Sequence, residues 1–447
     1  MESVALHNLG CKVNSYEMEV MQQILKEKGY KIVPFDEEAD IYIINTCTVT
    51  NIADRKSRQM LHRAKKRNPR AVVVAVGCYV ETGMEQIKAD PAIDLAIGNN
   101  SKKDIAEILE TYLAGRENAE GKDSEEVSVS GNSGKYNPHE EMQLHSTTER
   151  ARVYIKIQDG CNQFCSYCII PYARGRVKSR KEEDILEEVE KLAMLGCQEI
   201  VLTGIHISSY GLDRGDRELL QLLVKLNEIK GIRRIRLGSL EPGIITGDFA
   251  GDLARLKKIC PHFHLSLQSG CDETLRRMNR HYTAGEYLEK VELLRHYFEN
   301  PAITTDVIVG FPGETEEEFE RTESFLRTVH FFEMHIFKYS RRQGTKAALM
   351  AAQVPDAVKN ERSARLIALG KEMGQAYIRE WMGRTVEVLF EEQIEENGNL
   401  LWIGHTKEYV KVAAKISENL QGRIESGTIN GFFPGDFPSV TLNFADR

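Results

Sequence analysis

The sequence predicts a mixed α/β protein in three parts: a doubly wound parallel α/β domain, a partial (βα)6 barrel and a small all-β barrel. Three observations lead to this fold class. Strand-length apolar runs alternate with helical patterns over residues 1–115, and a second, longer alternation begins at residue 151. After residue 382, short alternating segments are separated by Gly and Asn turns. A chain of 447 residues also has the length of about three domains.

The first domain, residues 1–115, is expected to form a parallel sheet covered by helices. Its strand patterns lie at residues 4–9, 31–35, 41–45, 71–77 and 95–97, and its helical patterns at 15–28, from about 52, and at 104–113. Apolar strands that alternate with helices favour a doubly wound sheet. Residues 116–150 are rich in acidic residues and glycine and poor in large apolar residues, which predicts a linker.

The second domain, residues 151–382, repeats a strand and a helix six times. Its strand patterns lie at residues 153–157, 199–203, 234–237, 262–267, 304–309 and 332–337. This spacing is typical of βα units and predicts an open or partial βα barrel, whose functional groups sit at the carboxyl ends of the strands. Residues 383–447 are expected to form a small β-barrel.

Composition places the chain among ordinary globular proteins. Hydrophobic residues make up 41% and charged residues 28%, with a formal net charge of −8, so wholesale disorder is excluded. No apolar run approaches the roughly 18 uncharged residues that a membrane-spanning helix needs. The first residues lack the basic region and apolar core of a signal peptide. We therefore expect a cytoplasmic protein without a membrane segment.

The strongest chemical signal is a loop with three cysteines, Cys161, Cys165 and Cys168, directly after a predicted strand. Three thiolates in so short a loop can converge on one metal centre, either an iron–sulfur cluster or zinc. A structural zinc site would need a fourth ligand in the same loop, whereas the next candidate, His206, follows a different strand. A 4Fe–4S cluster held by three cysteines leaves one iron open for a substrate.

A second set of cysteines is separated in sequence. Cys11, Cys47 and Cys78 each follow the carboxyl end of a predicted strand in the first domain. In a doubly wound sheet these ends share one crevice, where ligands bind. The three thiols are therefore expected to converge on a second cluster. Buried unligated cysteines are the alternative, and this is the interpretation given to the remaining three, Cys197, Cys260 and Cys271.

The loop spacing, with Tyr167 before its last cysteine and a six-unit βα region around it, resembles the radical S-adenosylmethionine superfamily. The two cysteine sets and the terminal barrel together resemble one family in it, the methylthiotransferases, across essentially the whole chain. That resemblance implies two 4Fe–4S clusters, with S-adenosylmethionine serving both as methyl donor and as the source of a 5′-deoxyadenosyl radical. It also implies an electron donor such as flavodoxin or ferredoxin, and it identifies residues 383–447 as a TRAM-like domain.

Other segments match the same family, namely TGIHISSYG, RLGSLEP, HLSLQSGCDETLRRMNR, DVIVGFPGET and FKYSRRQGT. Several of their residues end strands or form tight turns at the strand ends, where backbone and polar groups can hold a cofactor. The expected cofactor-binding residues are Tyr167, Thr203, Gly204, Glu241, Gln268, Val309 and Gly310. Turn residues that serve only to close the fold are the alternative at each position.

The family has branches that differ in substrate. The segment from Leu9 to Glu17, LGCKVNSYE, is similar to the branch that adds methylthio to C2 of N6-threonylcarbamoyladenosine beside the tRNA anticodon. Other branches modify isopentenyladenosine in tRNA or an aspartate of a ribosomal protein, and both stay open. An iron–sulfur RNA-binding protein without turnover is a further hypothesis from a different class.

An RNA substrate requires basic surfaces despite the negative total charge. Residues 55–70 contain eight Lys or Arg and no acid, which predicts a basic helix. A solvated face is the alternative to an RNA contact there and at a second basic cluster near residue 280. Tyr339 and Phe337 are expected to stack on a splayed base. The expected RNA-binding residues are Lys65, Lys66, Arg67, Arg276, Arg277, Arg280, Lys407 and Lys411.

Overall fold

The structure, a computed structural model, describes residues 2–118, 128–130, 142–146, 151–433 and 437–442. The chain divides into two compact units. The first unit comprises residues 1–146, 156–188 and 340–348, and the second comprises 147–155, 189–339 and 349–447. The predicted fold class is confirmed, because parallel α/β sheets are followed by a closed β-barrel. The two units, however, do not coincide with the predicted domains, since the cysteine loop of residues 161–168 belongs to the first unit.

The first unit begins with a parallel six-stranded sheet in the order β2-β1-β3-β4-β5-β6. Its strands are β1 (Ser3–Asn8), β2 (Lys31–Val33), β3 (Ile41–Thr46), β4 (Val72–Gly77), β5 (Leu95–Ile97) and β6 (Ser128–Ser130). Its helices are α1 (Lys12–Glu27), α2 (Asn51–Arg67), α3 (Cys78–Thr82), α4 (Met84–Lys88) and α5 (Ile105–Asn118). The order of the first five strands is that of a doubly wound sheet whose switch point lies between β1 and β3.

Apolar side chains on both faces of β3 and β4 explain why these strands are central. Every residue of both strands is buried, as expected for a parallel sheet covered on each side. Helix α2 packs a narrow apolar stripe against this sheet through Leu61 and Ala64. Its opposite face carries the basic residues. Thr50 caps α2 by accepting a hydrogen bond from the Ala53 amide at 3.1 Å, which satisfies an amide at the helix start.

Parts of the predicted linker belong to the fold of the first unit. Residues 128–130 form β6 and pair with β5, and Met142 and Leu144 are buried. Their apolar side chains were too sparse in sequence to stand out from the acidic stretch around them. The remainder of this segment, residues 119–127, 131–141 and 147–150, lies outside the described residues.

The first unit also includes the end of β7 (Arg152–Asp159), α6 (Ile170–Ala173), β8 (Lys178–Ser179) and the start of α7 (Glu182–Met194). The end of β7 pairs with β8 in antiparallel register, and the cysteine loop connects β7 to α6. The loop is tight because Gly160 has a φ of +68° and the Cys161 amide donates to the Gly175 carbonyl at 3.1 Å.

The second unit contains the remaining strands of the βα region. They are β9 (Glu199–Gly204), β10 (Arg234–Leu237), β11 (His262–His264), β12 (Ala302–Val309) and β13 (Glu333–Lys338). The helices are α8 (Leu219–Glu228), α9 (Gly247–Arg255), α10 (Asp272–Arg277), α11 (Ala284–Tyr297), α12 (Glu316–Val329) and α13 (Asp356–Arg379). Strands β9 and β10 pair in parallel, as do β11, β12 and β13, so their carboxyl ends lie at a common edge. With β7, these are the six predicted strands.

The chain ends in a closed five-stranded barrel, as predicted. Its strands are β14 (Thr385–Glu396), β15 (Asn399–His405), β16 (Lys411–Ala414), β17 (Ile424–Phe433) and β18 (Phe437–Leu442). Val388, Phe390 and Val412 lie in its core, together with Trp381 just after α13. The acidic residues 391–396 form the end of strand β14. Among the described residues, no helix is long and apolar enough to cross a membrane.

Candidate functional site

The three N-terminal cysteines follow three neighbouring strands of the first sheet. Cys47 comes directly after β3, Cys78 begins α3 directly after β4, and Cys11 lies three positions beyond the end of β1. Because β1, β3 and β4 are adjacent and parallel, their carboxyl ends meet at one edge. The cysteines therefore lie at the switch point of the sheet, the usual ligand crevice of this architecture.

Contacts and electrostatics show that these thiols are close. A Cβ added to Gly10 would lie 3.0 Å from the Cys47 Cβ and 3.2 Å from its Sγ, so the backbone beside Cys11 touches Cys47. The pKa of the Cys47 thiol is raised to about 11, mainly by burial and in part by the neighbouring Cys78 and Cys11. Desolvation likewise raises the pKa of Cys11, although its surface is partly open to solvent, and Arg174 opposes that rise.

Cys78 has polar partners that sequence analysis did not identify. Its Sγ lies 3.2 Å from the Arg174 Nε, a charged N–H donor, and 3.8 Å from the Asn99 Nδ2. Arg174 is the residue directly after α6, and its side chain is only 1% exposed. Donors at these distances stabilise an anionic sulfur. No spacing motif links Arg174 to Cys78, because the two are far apart in the chain.

The second set of thiols lies on the loop between β7 and α6. Cys161, Cys165 and Cys168 are each half-buried. The Gln163 amide lies 3.4 Å from the Cys161 Sγ, and the Cys168 amide donates to the Cys165 carbonyl at 3.0 Å. Phe164 has a φ of +50°, which turns the loop back on itself, and the Arg176 guanidinium lies 4.4 Å from its ring centroid.

Both thiol sets fit the donor requirements of an iron–sulfur cluster. Such clusters take thiolate ligands, and N–H groups directed at the sulfurs tune them. The loop supplies three sulfurs and the Gln163 amide as a donor. The strand-end set supplies three sulfurs that influence one another electrostatically, with Arg174 as a donor to one of them. Each set contains three cysteines, whereas a closed structural zinc site takes four protein ligands.

The residues expected to bind S-adenosylmethionine lie, except for Tyr167 in the cysteine loop, at the strand ends of the second unit. Thr203 and Gly204 end β9, and Val309 ends β12 with Gly310 directly after it. Gln268 has a φ of +71° and its amide donates to the Asp306 carbonyl at 2.9 Å. A Cβ at Gly310 would lie 2.2 Å from the Lys359 Cγ, so this glycine is also required for packing.

Glu241 is held in a polar cluster at the same edge of the second unit. Its carboxylate accepts from Arg280 at 2.8 Å and lies 3.6 Å from the His206 Nε2. Burial alone would raise the pKa of Glu241, but His206 and Arg280 hold it below its ordinary value. Glu241 is therefore a fixed carboxylate, able to accept hydrogen bonds from a bound ligand.

Several residues expected to contact RNA have partners inside the fold. Lys65 binds Asp94 at 2.8 Å, and Arg67 donates to the Phe35 carbonyl at 2.5 Å. In the second unit, Arg277 binds Glu318 at 3.0 Å, Arg280 binds Glu241, and Lys407 lies 3.4 Å from Glu387. These charges are already compensated, which the sequence could not show.

Other predicted RNA contacts remain on the surface. Lys66, Arg276 and Lys411 are exposed. Phe337 is 47% exposed, whereas Tyr339 is 4% exposed and packs edge-on against Phe311 with ring centroids 5.4 Å apart. Of the two aromatic residues that are expected to stack on a base, Phe337 is exposed and Tyr339 is buried.

A polar cluster in the second unit was missed by the sequence analysis. The His264 Nε2 lies 3.4 Å from the Asp306 Oδ2, and the rings of His264 and His335 stack with centroids 5.7 Å apart. Asp306 and His335 are register partners on β12 and β13. Phe337, two positions after His335, points to the same face. The histidines occur in the segments HFH (262–264) and EMH (333–335), but no sequence pattern shows that these two segments lie close together in the fold.

The remaining cysteines are structural, as expected. Cys197, Cys260 and Cys271 are buried, and all nine cysteines are free of disulfides. Burial raises the pKa of Cys197 to about 12 and that of Cys260 to about 11. These thiols are therefore protonated and inert at neutral pH.

Comparison with known families gives two matches. Residues 155–326 match the radical SAM superfamily, and residues 3–98 match the uncharacterized protein family UPF0004. Among solved structures, the radical S-adenosylmethionine methyltransferase TsrM from Kitasatospora setae superposes with a TM-score of 0.55 at 18% identity, covering 75% of each chain. At that identity the match concerns the fold.

Curated relatives extend over nearly the whole chain. The chain is 42% identical to the threonylcarbamoyladenosine tRNA methylthiotransferase MtaB of Bacillus subtilis, covering 95% of this chain and 93% of the relative. It is 37% identical to the tRNA-2-methylthio-N(6)-dimethylallyladenosine synthase of Caldicellulosiruptor saccharolyticus, covering 92% of this chain and 86% of that relative.

Proposed function

The chain belongs to the radical S-adenosylmethionine methylthiotransferase family, and on that premise we propose that it adds a methylthio group to C2 of N6-threonylcarbamoyladenosine beside the tRNA anticodon. The observation that supports this most is the presence of two thiol sets in one unit, one on a loop and one at the strand ends of a doubly wound sheet. One radical cluster alone would require only the first set.

We assign Cys161, Cys165 and Cys168 to a radical 4Fe–4S cluster and Cys11, Cys47 and Cys78 to a second one. When bound, the two clusters and S-adenosylmethionine supply a carbon-centred radical and the methylthio sulfur, using an electron from a donor such as flavodoxin or ferredoxin. The chain's own residues hold and orient these groups and exclude water around them. The Gln163 amide supports the loop sulfurs, and Arg174 supports Cys78.

The residues at the strand ends of the second unit support binding of S-adenosylmethionine. Glu241 is a carboxylate kept ionised by its basic neighbours, so it can accept hydrogen bonds from a ribose or an ammonium group. Gln268 carries a side-chain amide at a backbone position with a positive φ of +71°. Thr203, Gly204, Val309 and Gly310 lie at the ends of β9 and β12.

The polar face of β11–β13 favours threonylcarbamoyladenosine over dimethylallyladenosine. His264, Asp306 and His335 offer hydrogen-bonding groups, and the threonylcarbamoyl group carries a hydroxyl, an amide and a carboxylate to meet them. A dimethylallyl group is a hydrocarbon and would leave these groups unpaired. Sites built for hydrogen bonds reject analogues that lack them.

The exposed face of α2 is the surface in the first unit that best suits a tRNA backbone. Arg55, Lys56 and Lys66 are exposed and take part in none of the ion pairs found within the described part of the chain. Val49 and Ile52 near the start of α2 are also about half exposed. A positively charged surface along the phosphate backbone is typical of proteins that bind single-stranded nucleic acid.

The test is a competition between substrates. Anaerobically reconstituted protein is incubated with S-adenosylmethionine, a reductant and equal amounts of two tRNA anticodon stem-loops, one with threonylcarbamoyladenosine and one with dimethylallyladenosine. We expect the methylthio product from the first RNA in large excess. Excess product from the second RNA would assign the other tRNA branch, and methylthiolation of a ribosomal-protein aspartate in place of either RNA would overturn the substrate assignment.

A negative result with all substrates is also informative. A protein that holds iron but releases no 5′-deoxyadenosine from S-adenosylmethionine would be a non-catalytic iron–sulfur protein. Cys260→Ala is the control for every cysteine substitution, because Cys260 is a buried cysteine of the second unit and lies in neither thiol set. This variant should retain the iron content and product yield of the unchanged protein.

A further inference from the structure

A buried network of charged side chains surrounds Arg174 in the first unit. The Arg174 Nη1 donates to the Glu17 Oε1 and to the Asp159 Oδ2, both at 2.9 Å. Its Nη2 donates to the Asn14 Oδ1 at 2.6 Å, while its Nε points to the Cys78 sulfur at 3.2 Å. All of the donors of this guanidinium are therefore directed at oxygen or sulfur.

Two lysines complete the network. Lys102 binds Glu17, and both of these side chains are fully buried. Lys156 bridges Glu17 and Asp159 at 2.8 Å to each. Burial alone would raise the pKa of Glu17, but Arg174, Lys102 and Lys156 hold it well below its ordinary value. Glu17 is therefore ionised.

Arg174 brings a buried positive charge directly to the Cys78 sulfur, because its Nε lies 3.2 Å from that sulfur and its side chain is 1% exposed. A guanidinium stays protonated in proteins. Lys102 places a second, fully buried cation in the same network, where it binds Glu17.

Arg174 belongs to the chain segment that follows the cysteine loop. It lies six positions after Cys168 in the chain, so the segment that leads out of the loop of the radical cluster carries the side chain that contacts a ligand of the other cluster. Glu17 and Asn14 belong to α1, which starts directly after Cys11. The network therefore connects the backbone segments that carry cysteines of both sets.

We propose that Arg174 is a positioning residue for the N-terminal cluster, where its guanidinium holds the Cys78 sulfur and its positive charge, together with that of Lys102, stabilises the reduced cluster. This inference rests on the proposed function, because it takes Cys78 as a cluster ligand. Positive charge near a cluster favours the state with one more electron, so these two cations raise the reduction potential. Lys102 contributes through its charge alone, since it contacts Glu17 rather than sulfur.

The experiment measures the reduction potential of the N-terminal cluster alone. The reference protein carries Cys161→Ala, Cys165→Ala and Cys168→Ala and should retain about four irons. Its potential is then determined by anaerobic spectroelectrochemical titration, followed by the visible and electron paramagnetic resonance spectra. A reference protein that binds no iron would overturn the assignment of Cys11, Cys47 and Cys78, and with it the proposed function.

Three further substitutions are introduced into the reference protein. Lys102→Met removes one positive charge and should shift the potential to more negative values. Arg174→Gln removes a charge and the donor to sulfur, so it should shift the potential further in the same direction and reduce the iron retained. Glu17→Gln combined with Lys102→Met removes a buried ion pair while leaving the net charge unchanged, and its potential should match that of the reference protein.

Comparing the reduction potentials of Lys102→Met and the double variant distinguishes an electrostatic effect of the network from a purely structural one. If the network served only to hold the fold, the two variants would not differ in potential, or the double variant would shift at least as far. Either result would overturn the proposal. The comparison holds even if Arg174→Gln fails to assemble a cluster, because neither Lys102 nor Glu17 contacts a cysteine.

Discussion

The two thiol sets of the first unit are built in opposite ways. Cys161, Cys165 and Cys168 lie on one short loop, are half-exposed, and are held by backbone contacts of that loop. Cys11, Cys47 and Cys78 come from three strand ends and meet only because the sheet is folded. A cluster on the loop depends on local geometry, whereas a cluster on the strand ends depends on the whole sheet and on Arg174.

The largest expected effect separates the two sets chemically. Cys161→Ala should abolish release of 5′-deoxyadenosine and all methylthiolation, because the radical arises at the loop cluster. About four of about eight irons should remain. Chromatographic assay of 5′-deoxyadenosine and colorimetric iron analysis measure both outcomes, with Cys260→Ala as the control. Residual 5′-deoxyadenosine above the background without protein would contradict the role given to the loop.

Removing the other set should give a different pattern. With Cys11, Cys47 and Cys78 all replaced by Ala, methylthiolation should vanish while reductive cleavage of S-adenosylmethionine continues. The same assays, together with mass spectrometry of the RNA product, test this expectation. A methylthiolated product from this variant would show that the strand-end thiols do not supply the second cluster.

Two glycines test whether the sets depend on different geometry. At Gly160, an added Cβ would lie 1.9 Å from the Arg176 carbonyl, and at Gly77 it would lie 2.7 Å from the Asn45 Oδ1; both have positive φ. Each substitution to Ala should cost about 1–3 kcal/mol locally. Gly160→Ala should lower 5′-deoxyadenosine release at least about tenfold, whereas Gly77→Ala should lower methylthiolation and spare that release.

The control for both is Gly243→Ala, where nothing lies within 4 Å of the added Cβ. It should behave like the unchanged protein in both assays. Equal loss of both activities in Gly160→Ala and Gly77→Ala would contradict the separation between local and sheet-dependent sites.

A smaller effect concerns the polar face of β11–β13. His335→Phe removes a hydrogen-bonding group while keeping a ring of similar size beside Phe337. Leaving a polar substrate group unpaired costs about 1–3 kcal/mol, so kcat/KM for the threonylcarbamoyl RNA should fall about tenfold or more. Cleavage of S-adenosylmethionine without RNA should not change. An unaltered preference between the two RNAs would remove this face from substrate recognition.

The smallest effect concerns RNA affinity. Replacing Arg55, Lys56 and Lys66 by Gln should weaken tRNA binding and flatten the slope of log affinity against log salt by about two units, at roughly 0.7–0.9 per phosphate contact. Lys65→Gln is the matched comparison, because Lys65 binds Asp94 in the fold. It should lower thermal stability without changing the slope. An unchanged slope in the triple variant would show that the basic face of α2 is solvated and does not contact RNA phosphates.

The difference between the two sets also explains what the sequence could predict. The loop set is contiguous, so its spacing alone indicated a cluster. The strand-end set followed from the apolar runs before Cys11, Cys47 and Cys78, together with the rule that parallel strand ends meet. Both predictions needed only local pattern and one general rule of topology.

The contacts of charged side chains could not be predicted in the same way. Arg174 reaches Glu17 and Cys78 through the fold, and no local pattern records that pairing. Likewise, the eight basic residues between positions 55 and 70 looked equivalent in sequence, yet Lys65 and Arg67 are bound to other parts of the first unit. Strand β6 was hidden in an acidic stretch, since three residues are too few to show a period.

The most direct test of the proposed activity is nucleoside mass spectrometry of tRNA from cells that lack this protein. We expect 2-methylthio-N6-threonylcarbamoyladenosine to disappear while N6-threonylcarbamoyladenosine accumulates. A plasmid copy of the unchanged gene or of Cys260→Ala should restore the methylthio nucleoside, and copies with Cys78→Ala or Cys161→Ala should not. An unchanged level of that nucleoside, or loss of the methylthio dimethylallyl nucleoside in its place, would contradict the proposed activity.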